Sequence, residues 1–161
     1  MSLPIVEEIA LVIADRVAEV TTDNGYYVNV PTVHRPGRNP TQSIVDNLVV
    51  LTMGDADRND DLSPQGSPPG IAWNQQFHLL CYLKPDDTDD TPMDTLMSVF
   101  AADVMKAVCT PAASWWTFDN NAVIAQWQSF QRMENDGTFD GFVLTLLVIY
   151  RTNETDPYTV R

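Results

Sequence analysis

Apolar positions along the chain recur with two periods, and the switches between them outline seven elements. From Pro4 to Val20, Ile5, Ile9, Val12, Ile13, Val17 and Val20 return at helical spacing, with Glu7, Glu8, Asp15, Arg16 and Glu19 mostly elsewhere. That spacing predicts an amphipathic helix, with Ser2 as a candidate cap and Pro4 suited to a first turn. Asp23-Asn24-Gly25 is a turn signal. Tyr26 to Val33 alternates in β-prone residues and predicts a strand, and His34 to Pro40 holds too many breakers to be anything but a loop. Leu48 to Met53 predicts a second strand, expected to run antiparallel to the first. From Gly54 to Gly70 the chain is polar and rich in Asp, Pro, Gly and Ser, which predicts an exposed excursion. Ile71 to Leu83 then alternates, placing Ile71, Trp73, Phe77, Leu79, Cys81 and Leu83 on one side and Asn74, Gln76 and His78 on the other, the pattern of a long third strand.

An acidic loop, Pro85 to Asp90, leads to a helix start at Thr91-Pro92-Met93-Asp94, with Thr91 as cap and proline at the first helical position. Met93, Leu96, Met97, Phe100, Ala101, Val104, Met105 and Val108 give this helix one broad apolar face, and Thr110-Pro111 stops it. Ala122 to Met133 predicts a fourth strand, turned by Asn135-Asp136-Gly137 into a fifth, Phe139 to Arg151. Every side chain but one from Phe142 to Tyr150 is apolar, with β-branched and aromatic types prominent. So short a run reads as a strand covered on both faces.

This order implies an α+β fold: a mostly antiparallel four- to five-stranded sheet with two helices packed on one face, in a single domain over residues 1–161. The loop at 54–70 and the tail at 152–161 lie outside that frame. The helices can cover only one face of the sheet, and Val143, Leu147 and Ile149 oppose Phe142, Leu144, Leu146 and Val148. A second face with apolar groups needs another layer or a neighbouring subunit, so the chain reads as an assembly component.

Composition narrows the function. The 161 residues suffice for a core without metals or disulfides. The longest apolar run falls well short of the ~20 residues of a membrane helix, so no membrane partner is expected. Glu7 and Glu8 follow the N-terminus almost at once, and no secretion signal is expected. Acidic residues outnumber basic ones 22 to 9, for a formal charge of −13. Such a surface disfavours gripping nucleic acid and can let DNA slide past without adhesion, but the first reading of it is a solvated acidic surface with no specific role. Cys81 and Cys109 form no disulfide framework and read as small apolar groups.

Candidate chemistry is sparse. Asp55, Asp57 and Asn59 alternate like calcium ligands, but Asp60 stands where such a loop needs glycine and Gly66 where it needs the bidentate glutamate. Asp86, Asp87, Asp89 and Asp90 form an acidic loop; Asp89, Asp90 and Asp94 suit the positive end of the second helix dipole. His34 and His78 lack a nucleophile setting, and no phosphate-cradling or dinucleotide motif is present. No catalytic residue, metal or cofactor is therefore expected. Arg35 and Arg38 form the one basic spot, read as a contact for an acidic partner or as a solubilising loop tip. Trp115, Trp116 and Phe118 make an aromatic cluster in a connector, read as interface anchors over a mere cap on the core.

The order of elements resembles the tail-terminator (minor tail protein U-like) family of long-tailed bacteriophages. The likeness lies in the opening helix from Ile5 to Val20 and in Gly25-Tyr26-Tyr27-Val28-Asn29-Val30 leading to Val33-His34-Arg35. It continues through Leu48 to Gly54, the strand from Trp73 to Leu83 and the helix from Met93 to Val108, and ends with Tyr150-Arg151-Thr152 and Asp156-Pro157-Tyr158. The resemblance implies a homohexameric ring at the head-proximal end of the virion tail, assembled in the host cytoplasm. Such a ring ends polymerisation of the tail tube protein, docks the neck connector protein, and lets DNA pass without specific binding. It also implies that the 54–70 loop reaches toward the tube or a neighbour, and that Asp156 and Tyr158 lie near a subunit boundary. With Arg35, Arg38, Trp115 and Trp116, these make the expected subunit or tube interface. The alternatives are another head–tail joining or contractile-tail ring protein and, from different classes, a soluble small-ligand binding module or an enzyme using the Asp clusters for a metal.

Overall fold

The computed structural model describes residues 3–35, 46–66, 69–84, 90–133 and 140–160. Two helices, α1 (Ile5–Ala18) and α2 (Met93–Val108), accompany six strands: β1 (Thr32–His34), β2 (Leu48–Asn59), β3 (Gly70–Leu83), β4 (Ile124–Arg132), β5 (Asp140–Asn153) and β6 (Asp156–Val160). The sheet runs in the order β1-β2-β3-β5-β4, with β6 paired to the end of β5. All pairings are antiparallel except β1 with β2, which is parallel.

Both helices lie on one face. Their apolar stripes, Ile5, Ile9, Ile13 and Val17 from α1 and Met97, Phe100, Val104 and Val108 from α2, join one core with Leu51, Phe77, Leu79, Cys81, Phe142, Leu144, Leu146 and Val148. These sheet positions alternate along their strands because successive side chains of a strand point to opposite faces. Burying each such side chain contributes about 1.5–3 kcal/mol. Phe142 anchors the layer, with the Phe100 ring edge-on at 5.5 Å and the Phe130 ring stacked at 5.0 Å.

Three sequence expectations need correction. Residues 26–31 form no strand; only Thr32–His34 pair, and they do so parallel to β2. Asp103 of α2 is the cause: its buried carboxylate accepts the backbone N–H groups of Tyr27 at 2.7 Å and Val28 at 3.0 Å. Those donors are thereby taken from any sheet. Second, β2 does not stop at Met53. After a bulge between Met53 and Ala56 it continues to Asn59, pairing with Ala72 to Gln75 of β3, so much of the expected excursion is a hairpin arm. Third, the C-terminal tail is a strand: Thr152 pairs with Val160 and Asn153 with Asp156.

At the helix starts the chain differs in detail. Pro4 and Pro92 occupy the cap positions, and neither supplies a side-chain hydrogen bond. The expected cap Ser2, the acids Asp86, Asp87 and Asp89, and the Asn135-Asp136-Gly137 turn lie outside the described residues. After α1, Thr21 Oγ1 accepts from the Asn24 N–H. Gly25 closes that turn at φ 80°, a conformation that favours glycine.

Candidate functional site

The second sheet face, opposite the helices, is built from alternate residues of four strands. Val50, Leu80 and Val143 lie side by side, and the next row is Thr52, His78, Thr145 and Ser129. Beyond it come Gln76, Leu147 and Gln126, then Asp57, Asn74, Ile149 and Ile124. Val50, Leu80, Val143 and Leu147 are half-buried, and Ile124 is 41% exposed.

Hydrogen bonds tie the polar rows together. His78 Nδ1 and Thr145 Oγ1 are 3.2 Å apart, and Gln76 Nε2 donates to Gln128 Oε1 at 3.4 Å. Gly54 makes room for the imidazole: a Cβ there would stand 2.3 Å from His78 Nε2. At one end Leu62 and Ser63 fold over the face, Leu62 O accepting from Arg151 Nε and Ser63 Oγ from the Ala72 N–H. At the other, Met133 lies over Gly141, whose missing side chain would meet its Cε at 2.3 Å.

Charge sets this face apart. None of the 22 acidic residues falls between Leu62 and Lys84 or between Asn120 and Met133, and β5 has none after Asp140. In a chain of charge −13, the three rows from Val50 to Gln126 carry no carboxylate, and Asp57 of β2 enters only in the fourth, beside Asn74. Half-apolar, hydrogen-bonded and free of carboxylates, these three rows can pack against another macromolecular surface at little desolvation cost.

The residues expected at an interface are scattered. Arg35 stands at the end of β1 and pairs with Glu7 of α1 at 2.6 Å, so its charge is matched within the chain. Beside this pair, Leu51, Thr52 and Met53 line an open cleft of about 430 Å³. Arg38 lies outside the described residues. Trp115 is half-buried, edge-on to Trp116 at 6.5 Å and to Phe118 at 6.4 Å. Trp116 is 39% exposed. Asp156 accepts from the Tyr158 N–H and Thr159 Oγ1, turning β5 into β6 and leaving Tyr158 exposed. These hydrogen bonds, Thr159 first, hold the Asp156 carboxyl below its ordinary pKa.

Sequence reasoning missed the residue that organises the tryptophan turn. Arg16, in the last turn of α1, donates from Nη1 to the carbonyls of Val108 and Trp115 at 2.8 and 2.9 Å. Its guanidinium lies 5.0 Å from the Phe118 ring centre. Burial pulls the Arg16 pKa below its usual value, with Asp119 opposing. This hub holds three successive non-glycine residues, Phe118, Asp119 and Asn120, at positive φ, a conformation costing roughly 1–2 kcal/mol per residue. Full burial of Phe118 offsets part of that strain.

Asp55, Asp57 and Asn59 lie along extended β2, which cannot wrap a calcium ion as a compact loop does. Among the described residues no three His, Cys, Asp or Glu side chains gather as a metal site, and no helix is long and apolar enough to cross a membrane. Compared with family models and with curated proteins, the chain matches none.

Proposed function

We propose that this chain is a structural virion subunit of the tail-terminator kind. Copies of it close as a hexameric ring on the last ring of the tail tube protein, stop its polymerisation and offer the neck connector protein a docking surface. The observation that carries this reading is the set of half-apolar, carboxylate-free rows at the centre of the second sheet face. A monomeric acidic protein gains nothing by keeping carboxylates off these rows, whereas a subunit that buries them avoids desolvating such charges. The resemblance of the order of elements to that of the family named above supports the specific joint. Among the described residues the acids stand on and beside the helices, on the β2–β3 hairpin arm, at the starts of β5 and β6 as Asp140 and Asp156, and in loops such as those holding Asp119 and Glu154. Placed toward a bore, they would let DNA pass without adhesion.

Light scattering on the purified chain, alone and with purified tail tube protein, tests the reading. The expected result is a closed multiple of the 18.0 kDa chain, formed alone or on addition of tube protein, with tube growth arrested. A single protomer in both conditions, with tubes growing unchecked, contradicts it.

A further inference from the structure

The sheet has two unlike long edges. On one side it ends in β4; on the other, β1 covers only Leu48 to Val50 of β2. Among the described residues no strand pairs with β2 from Leu51 to Asn59 on that side. Open edges offer unpaired N–H and C=O groups to any extended segment, and proteins guard them with charge or proline.

The guards are unevenly placed. The β2 edge carries exposed Asp55, Asp57 and Arg58, and β6 carries Asp156 and Pro157. The nine residues of β4, Ile-Ala-Gln-Trp-Gln-Ser-Phe-Gln-Arg, include no acid, lysine or proline. The charge of β4 is Arg132, 58% exposed and 3.1 Å from Asp140. Ile124 and Phe130 are 41% and 49% exposed on this strand. A bulge between Trp127 and Ser129 interrupts the ladder and turns Gln128 toward Gln76, leaving Ser129 to Arg132 in regular register.

We propose that the outer edge of β4 is the joint that takes up a second copy of this chain, pairing with the acidic β2 edge of that copy. The inference rests on the assembly reading above and assigns its contact. Charge selects this occupant. Copies at −13 repel unless one contributes a neutral or basic surface, and β4 with Arg132 is such a surface. The acids of β2 oppose pairing of two β2 edges yet complement Arg132. A basic partner would favour the acidic helices and hairpin arm instead.

Strand direction agrees. β4 runs antiparallel to β5, β5 to β3 and β3 to β2, so β4 runs antiparallel to β2. A following copy in the same orientation therefore continues the antiparallel alternation. Joining two unlike edges is heterologous, and heterologous contacts that close give rings.

Native mass spectrometry of edge variants tests the joint, alone and with tube protein. The double variant Gln126→Glu/Gln131→Glu sets acids against Asp55 and Asp57 of the next copy; the expected result is single protomers where the unaltered chain assembles. Mixing it with Asp55→Lys/Asp57→Lys restores joined species. Leu11→Glu, a single added acid at an exposed helix position, leaves assembly intact. Should the glutamate variant lose its circular dichroism, Ile124→Gln alone is read in its place, with the same loss of assembly expected. Assembly that survives the folded β4 variant, or a mixture that fails to join, overturns the joint while leaving the ring reading standing. Loss of assembly in Leu11→Glu overturns it as well. An unaltered chain that stays a single protomer even with tube protein removes both.

Discussion

Replacing Asp103 by alanine tests the contact that most reshapes the fold relative to its sequence. Asp103 is 4% exposed, and one carboxylate oxygen accepts two backbone N–H groups, from Tyr27 and Val28. Hydrogen bonds to a charged group contribute about 1.5–3 kcal/mol each. The two share one oxygen, and Tyr27 is exposed, so water can replace part of the loss. The lower end of the range applies, giving a destabilisation of about 2–3 kcal/mol. For a chain of this size that lowers Tm by roughly 4–12 °C. Asp103→Asn keeps a neutral acceptor, worth about 1 kcal/mol per bond, and falls between. The assay is thermal unfolding together with hydrogen exchange. Asp103→Ala is expected to speed exchange at Tyr27 and Val28 while the β5 amides stay protected. Equal Tm values for all three proteins, or unchanged exchange at those two amides, would refute the reasoning.

Three further outcomes are expected. Gly141→Ala sets a Cβ 2.8 Å from the Cys81 carbonyl, backbone of the neighbouring strand, so overpacking costs about 1–3 kcal/mol; calorimetry showing no loss of Tm would contradict the packing. Because its folded pKa is depressed, Asp156 stabilises the β5–β6 turn above its unfolded pKa, and that contribution is lost as pH falls through the folded value. Amide signals of Tyr158 and Thr159 should therefore move on acidification, and in Asp156→Asn they should not; matching acid responses would count against the turn. Burial drives the Cys81 thiol pKa far above its ordinary value, so iodoacetamide should leave Cys81 unmodified in the folded protein and label it in denaturant. Labelling in the folded state would show that the core opens there.

Much of the fold was legible because it is written in local periods. The apolar stripes of α1 and α2 and the alternation of β3 carried their own assignments, and the β-branched run of β5 announced a strand with apolar groups on both sides. Contacts distant in sequence were not legible. Tyr26 to Val30 alternates like a strand, yet Asp103 of α2 takes its donors. The direction of β1 against β2 depends on a connection whose path leaves no mark on alternation. Asp55 to Asn59 has the composition of a loop, and only pairing with Ala72 to Gln75 holds it extended. For the candidate site, residue type pointed to Trp115 and Trp116. The carboxylate-free rows of the second face became visible only once the strand register placed His78 beside Thr145 and Leu80 beside Val143. Arg16 gave no sequence signal, since its carbonyl partners at Val108 and Trp115 come from the far side of the chain.

Cryo-electron microscopy of the purified chain mixed with assembled tail tubes addresses the central claim most directly. The account predicts a sixfold ring capping one end of each tube, with the second sheet face buried between protein surfaces. Bare tube ends beside free protomers, or a protomer whose second face is sealed by its own residues, would contradict it.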